Sequence, residues 1–322
     1  MPRTTKRRAA RWSVVVVALG AIALLALTFS NFASGGGTSK PASQRLAAAP
    51  DYTQLLIETT TSVRDSGLMD AVVVPAFEAR FPDVTFKYVA VGSGQALADA
   101  AAGNCDAIIV HSPEAEHKVQ RTGNITMRLP FAYNYFTIVG PKSDPAHVRG
   151  ASSAKAAFKA IFKYGKAHPK QTVWVSRGDN SGTYAKELQI WQSAGITINA
   201  VTPPSWYIST GQGMGQTLTM TDQKKDAYTL TDIATWLKNR PSLSSLKQVL
   251  STRRDMLNQY SIDLLNQAAH PAINSASAEA LAAWLTSKAG QQAIANYKIR
   301  GTQVFFPNSY AVSIQWLPPL TP

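Results

Sequence analysis

Short runs of β-branched and aromatic residues alternate with stretches of helical periodicity along this 322-residue chain. Residues 55–57, 84–91 and 107–110 are predicted strands, and residues 67–80 and 96–102 between them have the apolar spacing of helices. A helix between two strands returns the chain to the same end of the sheet and so favours parallel pairing. The first part of the chain therefore predicts a doubly wound α/β sheet.

The second part repeats this organisation after a break at Gly140 and Pro141. Its predicted strands are residues 172–175, 206–208 and 227–230, and its predicted helices are residues 152–164, 181–194, 215–224 and 231–237. A helical region at residues 277–297 follows. We expect two α/β lobes, each a mixed or mostly parallel sheet flanked by helices.

The N-terminal segment predicts export from the cytoplasm. Residues 1–45 contain seven lysines and arginines and no acidic residue, and residues 13–29 form an apolar run. A basic start followed by an apolar run is typical of a signal peptide, and this run also approaches the length of a membrane span. Whether the segment is cleaved or retained as an anchor stays open, but in both cases the body lies on the extracytoplasmic face.

The charge balance does not favour a nucleic-acid partner. The chain has 32 Lys and Arg against 19 Asp and Glu, but much of the basic excess lies in the N-terminal segment. The single cysteine, Cys105, cannot form an internal disulfide, and the five histidines show no metal-binding spacing. The sequence predicts neither a metal site nor a cofactor.

Four loops share one composition, with glycine and hydroxyl residues placed after a strand and before a helix. They are residues 59–62, 92–95, 176–183 and 211–215. The first N–H groups of a helix have no partner within it and carry the positive end of its dipole, so such a junction can bind an anion. Arg177 adds a planar fork of donors that suits an oxyanion.

Two other functions remain open on the residues alone. An exported hydrolase could use Ser62 or Ser181 with His111, although no G-x-S-x-G motif is present. The Arg177-Gly178-Asp179 tripeptide could instead be an adhesive motif if its loop is exposed. The abundance of donors and the lack of a convincing nucleophile–base pair favour a binding protein over an enzyme.

Six motifs, in order along the chain, resemble the TupA-type tungstate-binding proteins of bacterial ABC importers. They are T-T-T-S-V-R-D-S-G-L, V-G-S-G-Q-A-L, Y-N-Y-F-T-I-V-G-P-K, S-R-G-D-N-S-G-T, W-Y-I-S-T-G-Q-G-M-G-Q-T-L and A-Y-T-L-T-D. The resemblance implies a type II periplasmic-binding-protein fold with an oxyanion held between two lobes. Lobe I would contain residues 52–138 and 260–322, and lobe II residues 139–259. Asn180 departs from the acidic residue common in that family.

The resemblance also implies a ligand set and a role. The expected ligand contacts are Thr60, Thr61, Ser62, Ser93, Gly94, Arg177, Ser181, Gly182, Thr183, Gly213, Met214 and Tyr228. The expected ligand is tungstate, with molybdate or another tetrahedral oxyanion as the alternative. The implied partner is an ABC permease, the protein is expected to be a monomer, and the membrane is a partner only if the N-terminal segment is retained.

Overall fold

The computed structural model describes residues 53–250 and 255–309, and the predicted signal or anchor lies outside these ranges. The strands are β1 (Gln54–Thr60), β2 (Thr85–Val91), β3 (Ala107–Val110), β4 (Ile125–Pro141), β5 (Trp174–Ser176), β6 (Tyr207–Ser209), β7 (Thr229–Asp232), β8 (Leu246–Leu250), β9 (Leu257–Leu265), β10 (Lys298–Ile299), β11 (Thr302–Gln303) and β12 (Phe306–Pro307). The α-helices are α1 (Thr61–Ser66), α2 (Val74–Arg80), α3 (Ser93–Ala102), α4 (Pro113–Gln120), α5 (Ala154–Ala167), α6 (Gly182–Ser193), α7 (Met214–Asp222), α8 (Ile233–Asn239), α9 (Ser275–Thr286) and α10 (Lys288–Asn296).

The first sheet has the strand order β12-β4-β9-β3-β1-β2. β1 pairs in parallel with β2 and β3, whereas β9 pairs antiparallel with β3 and β4. Alternate residues of β3 enter different cores: Ala107 and Ile109 pack on one face, and Ile108 and Val110 on the other. A strand that is buried on both faces explains the unbroken apolar run in the sequence.

The second sheet shares β4 with the first. Residues of β4 up to Tyr135 pair with β9, and residues from Phe136 onward pair with β7 and β8. β5 pairs in parallel with β6 and bridges to Tyr228. Two sheets joined through one strand give the mixed α/β, two-lobed fold expected from the sequence.

The sequence predicts a break at Gly140 and Pro141, but β4 continues through both residues. Pro141 is the last residue of this strand and aligns with Leu246 of β8. A proline is tolerated at the end of a strand because its missing N–H no longer interrupts the ladder. The Gly140-Pro141 pair in the sequence thus marks the end of β4.

The segment predicted as one helix at residues 67–80 is divided in the structure. α1 ends at Ser66 with Gly67 as its C-cap, a π-helical turn covers Met69–Val73, and α2 follows with Pro75 in its first turn. Pro75 has no N–H to donate to the preceding turn, which explains why the regular helix begins again beside it. The apolar periodicity is continuous, so it cannot reveal this change of helix type.

Four tryptophan and phenylalanine side chains fill the centre of the second lobe. Phe158 lies 4.8 Å from Trp174 and 4.4 Å from Trp191 between ring centroids, and Trp206 packs beside Trp191. Burial of rings of this size supplies much of the stability of a small lobe.

Within residues 53–250 and 255–309, no helix combines the length and apolar character that a membrane span requires.

Replacing Gly140 with alanine tests the packing of β4. An added Cβ atom would lie 2.2 Å from Cδ1 of the buried Tyr228 ring, so we expect Gly140→Ala to lower the free energy of unfolding by about 1–3 kcal/mol. Gly150→Ala is the matched control, because no heavy atom lies within 4 Å of its added Cβ. Urea unfolding of both variants measures the difference, and equal midpoints would contradict the packing described here.

Candidate functional site

Arg177 lies directly after β5 and is only 1% exposed. Its Nη1 donates to Ser62 Oγ at 3.2 Å, and its Nη2 forms an ion pair with Asp179. Its Nε is buried and has no partner among the described residues. The guanidinium therefore reaches from the second lobe to the β1–α1 loop of the first and retains an unused donor.

Two threonine hydroxyls provide further unused donors. Thr61 Oγ1 and Thr183 Oγ1 are buried and, among residues 53–250 and 255–309, have no hydrogen-bond partner. Thr61 is adjacent to Ser62, which binds Arg177, and Thr183 is adjacent to Gly182, which binds Ser93. Leaving a buried polar group unpaired costs about 1–3 kcal/mol. The structure thus maintains unpaired donors at the contact between the lobes.

Helices begin within all four loops, at Thr61, Ser93, Gly182 and Met214, although the sequence placed the first two starts later, at residues 67 and 96. Thr60 caps α1 by accepting from Val63 N at 3.3 Å, and Ser181 caps α6 by accepting from Tyr184 N at 3.1 Å. α3 begins at Ser93. The caps use the hydroxyl oxygens of Thr60 and Ser181 as acceptors, and a hydroxyl that accepts in this way keeps its own hydrogen to donate.

Hydrogen bonds join loops of the two lobes directly. Gly94 N donates to Asn180 O at 2.7 Å, and Gly182 N donates to Ser93 Oγ at 3.1 Å. Both N–H groups belong to the predicted site, and both are already paired across the cleft. The two lobes are therefore in contact through the same loops that the sequence assigned to a ligand.

The fourth loop, residues 211–215, contacts α1 through Gly213 and Gly215. Gly213 lies against Thr61, since a Cβ added to Gly213 would lie 3.3 Å from Thr61 Cβ. Gly215 N donates to Asp65 Oδ2 at 3.1 Å, so a carboxylate of the first lobe faces the N-terminus of α7. The positive end of this helix is thus already partly compensated within the chain.

The structure does not bring the side chains of Met214 and Tyr228 into this cluster. Met214 is buried in an apolar core with Leu218 and Trp236. The Tyr228 hydroxyl donates to Asp144 Oδ1 at 2.9 Å and accepts from Ala146 N at 3.0 Å. The backbone carbonyl of Tyr228 accepts from Val175 N, so Tyr228 supports β5 and not the cluster itself.

His111 also lies at this contact between the lobes, although the sequence suggested it only as a possible hydrolase base. It follows the predicted strand β3, packs against Gly182, and its Nδ1 lies 3.0 Å from Asn258 Oδ1. The Asn258 amide nitrogen donates to Asn134 Oδ1 and lies near the Tyr260 hydroxyl, so Asn258 Oδ1 is the acceptor for His111 Nδ1–H. Burial, followed by the charge of Arg177, lowers the pKa of His111 to about 4, which keeps the imidazole neutral at pH 7.

A buried polar network extends from His111 along the two strands that cross between the lobes. Asn258 of β9 and Asn134 of β4 are register partners, and Asn134 Nδ2 donates to Asp232 Oδ1 at 3.2 Å. Asp232 caps α8 by accepting from the N–H groups of Ala234 and Thr235. The Thr235 hydroxyl donates to the Ser62 carbonyl at 3.2 Å, which connects the crossing strands to the loop beside Arg177.

The geometry does not support the serine hydrolase or the adhesive tripeptide suggested by the sequence. Ser62 Oγ is bonded to Arg177, Ser181 Oγ to Tyr184 N, and His111 to Asn258, so in the described part of the chain neither serine pairs with the histidine. An adhesive tripeptide requires an accessible arginine, and Arg177 is buried. Within residues 53–250 and 255–309, no group of three or more His, Cys, Asp or Glu side chains is placed to hold a metal ion.

Known proteins are similar to this chain in architecture and in sequence. A family model described as the PBP superfamily domain matches residues 46–289. Over 259 residues the chain is 34% identical to the tungstate-binding protein TupA of Peptoclostridium acidaminophilum, covering 79% of this chain and 86% of that protein. The crystal structure of the tungstate ABC transporter from Geobacter sulfurreducens has a TM-score of 0.67 at 36% identity and covers 76% of this chain and 98% of that one. The structure of the tungstate-binding protein TupA from Desulfovibrio alaskensis G20 has a TM-score of 0.65 at 34% identity, and the match covers 80% of this chain and 99% of that one.

The two-lobed fold and the family match place this chain in the PBP superfamily. Within it, the chain belongs to the family of the TupA proteins, which confirms the resemblance carried by the six sequence motifs.

Gly94→Ala tests the direct contact between the lobes. An added Cβ would lie 2.7 Å from Asn180 Cβ and 3.1 Å from Asn180 O, so the two loops must separate to accept it. We expect faster hydrogen–deuterium exchange at residues 92–95 and 180–183, because the Gly94 and Gly182 N–H groups lose their partners. Gly150→Ala is the control with wild-type exchange in these segments, and wild-type exchange in Gly94→Ala itself would contradict the contact.

His111→Gln tests the neutral, buried imidazole. The pKa of His111 is about 4 in the folded protein and 6.5 when the ring is solvated, so an unfolded chain gains a proton between these values that the folded chain does not. Wild-type unfolding free energy should therefore fall relative to His111→Gln as the pH decreases from about 6.5 to about 4, by about 3 kcal/mol in total.

The comparison of the two proteins removes the effect of other titrating groups. Burial raises the pKa of Glu187 to about 7, and this group acts in the opposite direction by making the folded protein more stable as the pH falls from 7 to 4.5. Because both proteins contain Glu187, chemical unfolding at several pH values isolates the contribution of His111. Parallel pH profiles would show that His111 titrates normally in the folded protein.

Proposed function

We propose that this protein binds tungstate between its two lobes and delivers it to an ABC permease on the extracytoplasmic face of the membrane. The observation that carries the proposal is the buried guanidinium of Arg177, whose Nε lacks a partner beside the loops that hold the unpaired hydroxyls of Thr61 and Thr183. Positive charge and unused buried donors on adjoining loops favour an anionic ligand with several acceptor oxygens. Relatives named as tungstate-binding proteins identify the kind of oxyanion.

A tetrahedral dianion fits the residues that are available. Ser62 and Ser93 provide hydroxyls from the first lobe, and Ser181 and Thr183 provide them from the N-terminus of α6. Tungstate and molybdate carry no proton near pH 7, so each of their oxygens accepts hydrogen bonds. A ligand that accepts from both lobes stabilises their contact, and binding then shifts the population toward the closed arrangement.

One observation favours a competing tetrahedral oxyanion that carries a proton, such as phosphate. Asp179 Oδ1 is buried and, in the described residues, has no hydrogen-bond partner. A carboxylate oxygen could accept the proton that phosphate retains near neutral pH. Its neighbour Arg177 compensates the charge of Asp179 through their ion pair, so the carboxylate also has a role without such a ligand.

The transport role defines the remaining proposals. A protein of this class carries its ligand to a permease without chemical change, so we infer that it is a binding protein and not an enzyme. We propose that it acts as a monomer, as the family resemblance implies. The PBP superfamily domain begins at residue 46, immediately after the predicted signal or anchor and linker. This order is consistent with either a secreted receptor or one that remains attached to the membrane through its N-terminal segment.

Calorimetric titration with tungstate, molybdate, sulfate and phosphate tests the proposed ligand. We expect tungstate to bind more tightly than the other three anions, with molybdate as the nearest competitor. Binding of phosphate alone would favour the proton-bearing alternative at Asp179. Absence of heat with both tungstate and molybdate would refute the proposal.

Arg177→Ala tests the central residue. A hydrogen bond to a charged group contributes about 1.5–3 kcal/mol, so the variant should bind tungstate about ten- to a hundredfold more weakly. Arg80→Ala is a matched control, because Arg80 lies at the end of α2 above the Phe81 ring. An unchanged dissociation constant for Arg177→Ala would remove this residue from the site.

A further inference from the structure

Glu187 is a buried carboxylate behind the site. It lies on α6, is 2% exposed, and accepts four hydrogen bonds. Its Oε1 accepts from Trp174 Nε1 at 2.9 Å, Trp191 Nε1 at 3.2 Å and the Tyr207 hydroxyl at 2.6 Å, and its Oε2 accepts from Ser176 Oγ at 2.8 Å. Among the described residues no ion pair involves Glu187. A buried carboxylate that is held only by neutral donors requires an explanation, because its desolvation is costly.

The contacts of Glu187 are arranged along one face of β5. Trp174 and Ser176 are two residues apart, so both side chains point toward α6, and Arg177 is the next residue along the chain. The Trp174 bond fixes the body of the strand, and the Ser176 bond fixes its last residue. Glu187 therefore holds the strand at the point where Arg177 leaves it.

Ser176 connects Glu187 to the backbone on both sides of Arg177. Its hydroxyl has one hydrogen, which it donates to Glu187, and its oxygen accepts from Gly178 N at 3.1 Å. These two bonds fix the residues on each side of Arg177. The carbonyl of Arg177 is held separately, since it accepts from Gly211 N at 2.8 Å.

We infer that Glu187 is a positioning residue for anion binding, which holds the Arg177 guanidinium in its binding orientation through the hydrogen bond to Ser176. This inference rests on the proposed function of Arg177. It explains why the second lobe keeps a carboxylate in its aromatic core: the carboxylate accepts from the core and from Ser176 at the same time, which an apolar side chain cannot do.

The hydrogen bond from Ser176 Oγ to Glu187 Oε2 is called the Ser176 relay below. Glu187→Gln alters this bond with almost no change in the shape of the side chain. The amide has one oxygen, which can still accept from Trp174, Trp191 and Tyr207, so its NH₂ group must face Ser176. Ser176 would then accept from both the amide and Gly178 N, and its own hydrogen would lose its acceptor. At pH 8, above the pKa of about 7 that burial gives Glu187, the wild-type carboxylate is ionised, and we expect Glu187→Gln to bind tungstate roughly three- to tenfold more weakly, which is the range for one hydrogen bond.

A double-mutant cycle with Arg177→Ala distinguishes positioning from a general structural role. If Glu187 acts through Arg177, Glu187→Gln should change the tungstate dissociation constant by less than about twofold in the Arg177→Ala background. An equal loss in both backgrounds, or no loss in the wild-type background, would overturn the inference. Absence of tungstate binding to the wild-type protein would instead refute the proposed function, so the two failures are distinguishable.

Two further variants keep the test independent of folding. Tyr207→Phe removes one donor to Glu187 but leaves the Ser176 relay, so it should lower the melting temperature and leave tungstate affinity unchanged. Ser176→Ala removes the relay while Glu187 remains, and it should weaken binding to the same extent as Glu187→Gln, with no additional loss in the double variant. A loss of affinity in Tyr207→Phe equal to that in Ser176→Ala would show that core stability, and not the relay, controls binding.

Discussion

A positively charged side chain that is almost fully buried must be surrounded by groups that compensate it. Arg177 meets this requirement with the Asp179 carboxylate and the Ser62 hydroxyl, which lie on different lobes. The guanidinium therefore connects the lobes and forms the centre of the proposed site. The β1–α1 loop contacts this group through Ser62 and the segment after β5 contacts it through Asp179, and its unpaired Nε remains free to donate to an acceptor.

The polar network on the crossing strands complements this arrangement. Asn134 and Asn258 face each other where β4 and β9 pass between the lobes, in a position that an apolar pair could also fill. Buried amides accept only partners in fixed directions, so they define the register of the two strands more narrowly than apolar side chains do. Burial and the charge of Arg177 lower the pKa of His111 and keep its imidazole neutral beside Gly182, which avoids a second positive charge next to Arg177.

Much of the fold could be predicted, because it depends on local patterns. β3 lies at Ala107–Val110 as predicted, and the helices after the glycine and hydroxyl loops begin within those loops. The direction of a side chain at a strand end depends on tertiary packing, so the turning of Tyr228 toward Asp144 could not be predicted. Glu187 did leave a signal: it shares the buried face of α6 with Thr183, Ile190 and Trp191, and a carboxylate at such a position indicates a buried polar contact.

β4 is a single 17-residue strand that belongs to both sheets. Because its pairing changes from β9 to β7 and β8 between Tyr135 and Phe136, a rotation of one lobe relative to the other must be absorbed within this strand and its neighbour β9. Atoms close to such an axis move little, whereas atoms at the far rims of the lobes move through a longer arc. On the proposed function, a ligand a few ångströms across that changes the angle between the lobes at Arg177 would change the separation of their outer surfaces by a larger distance.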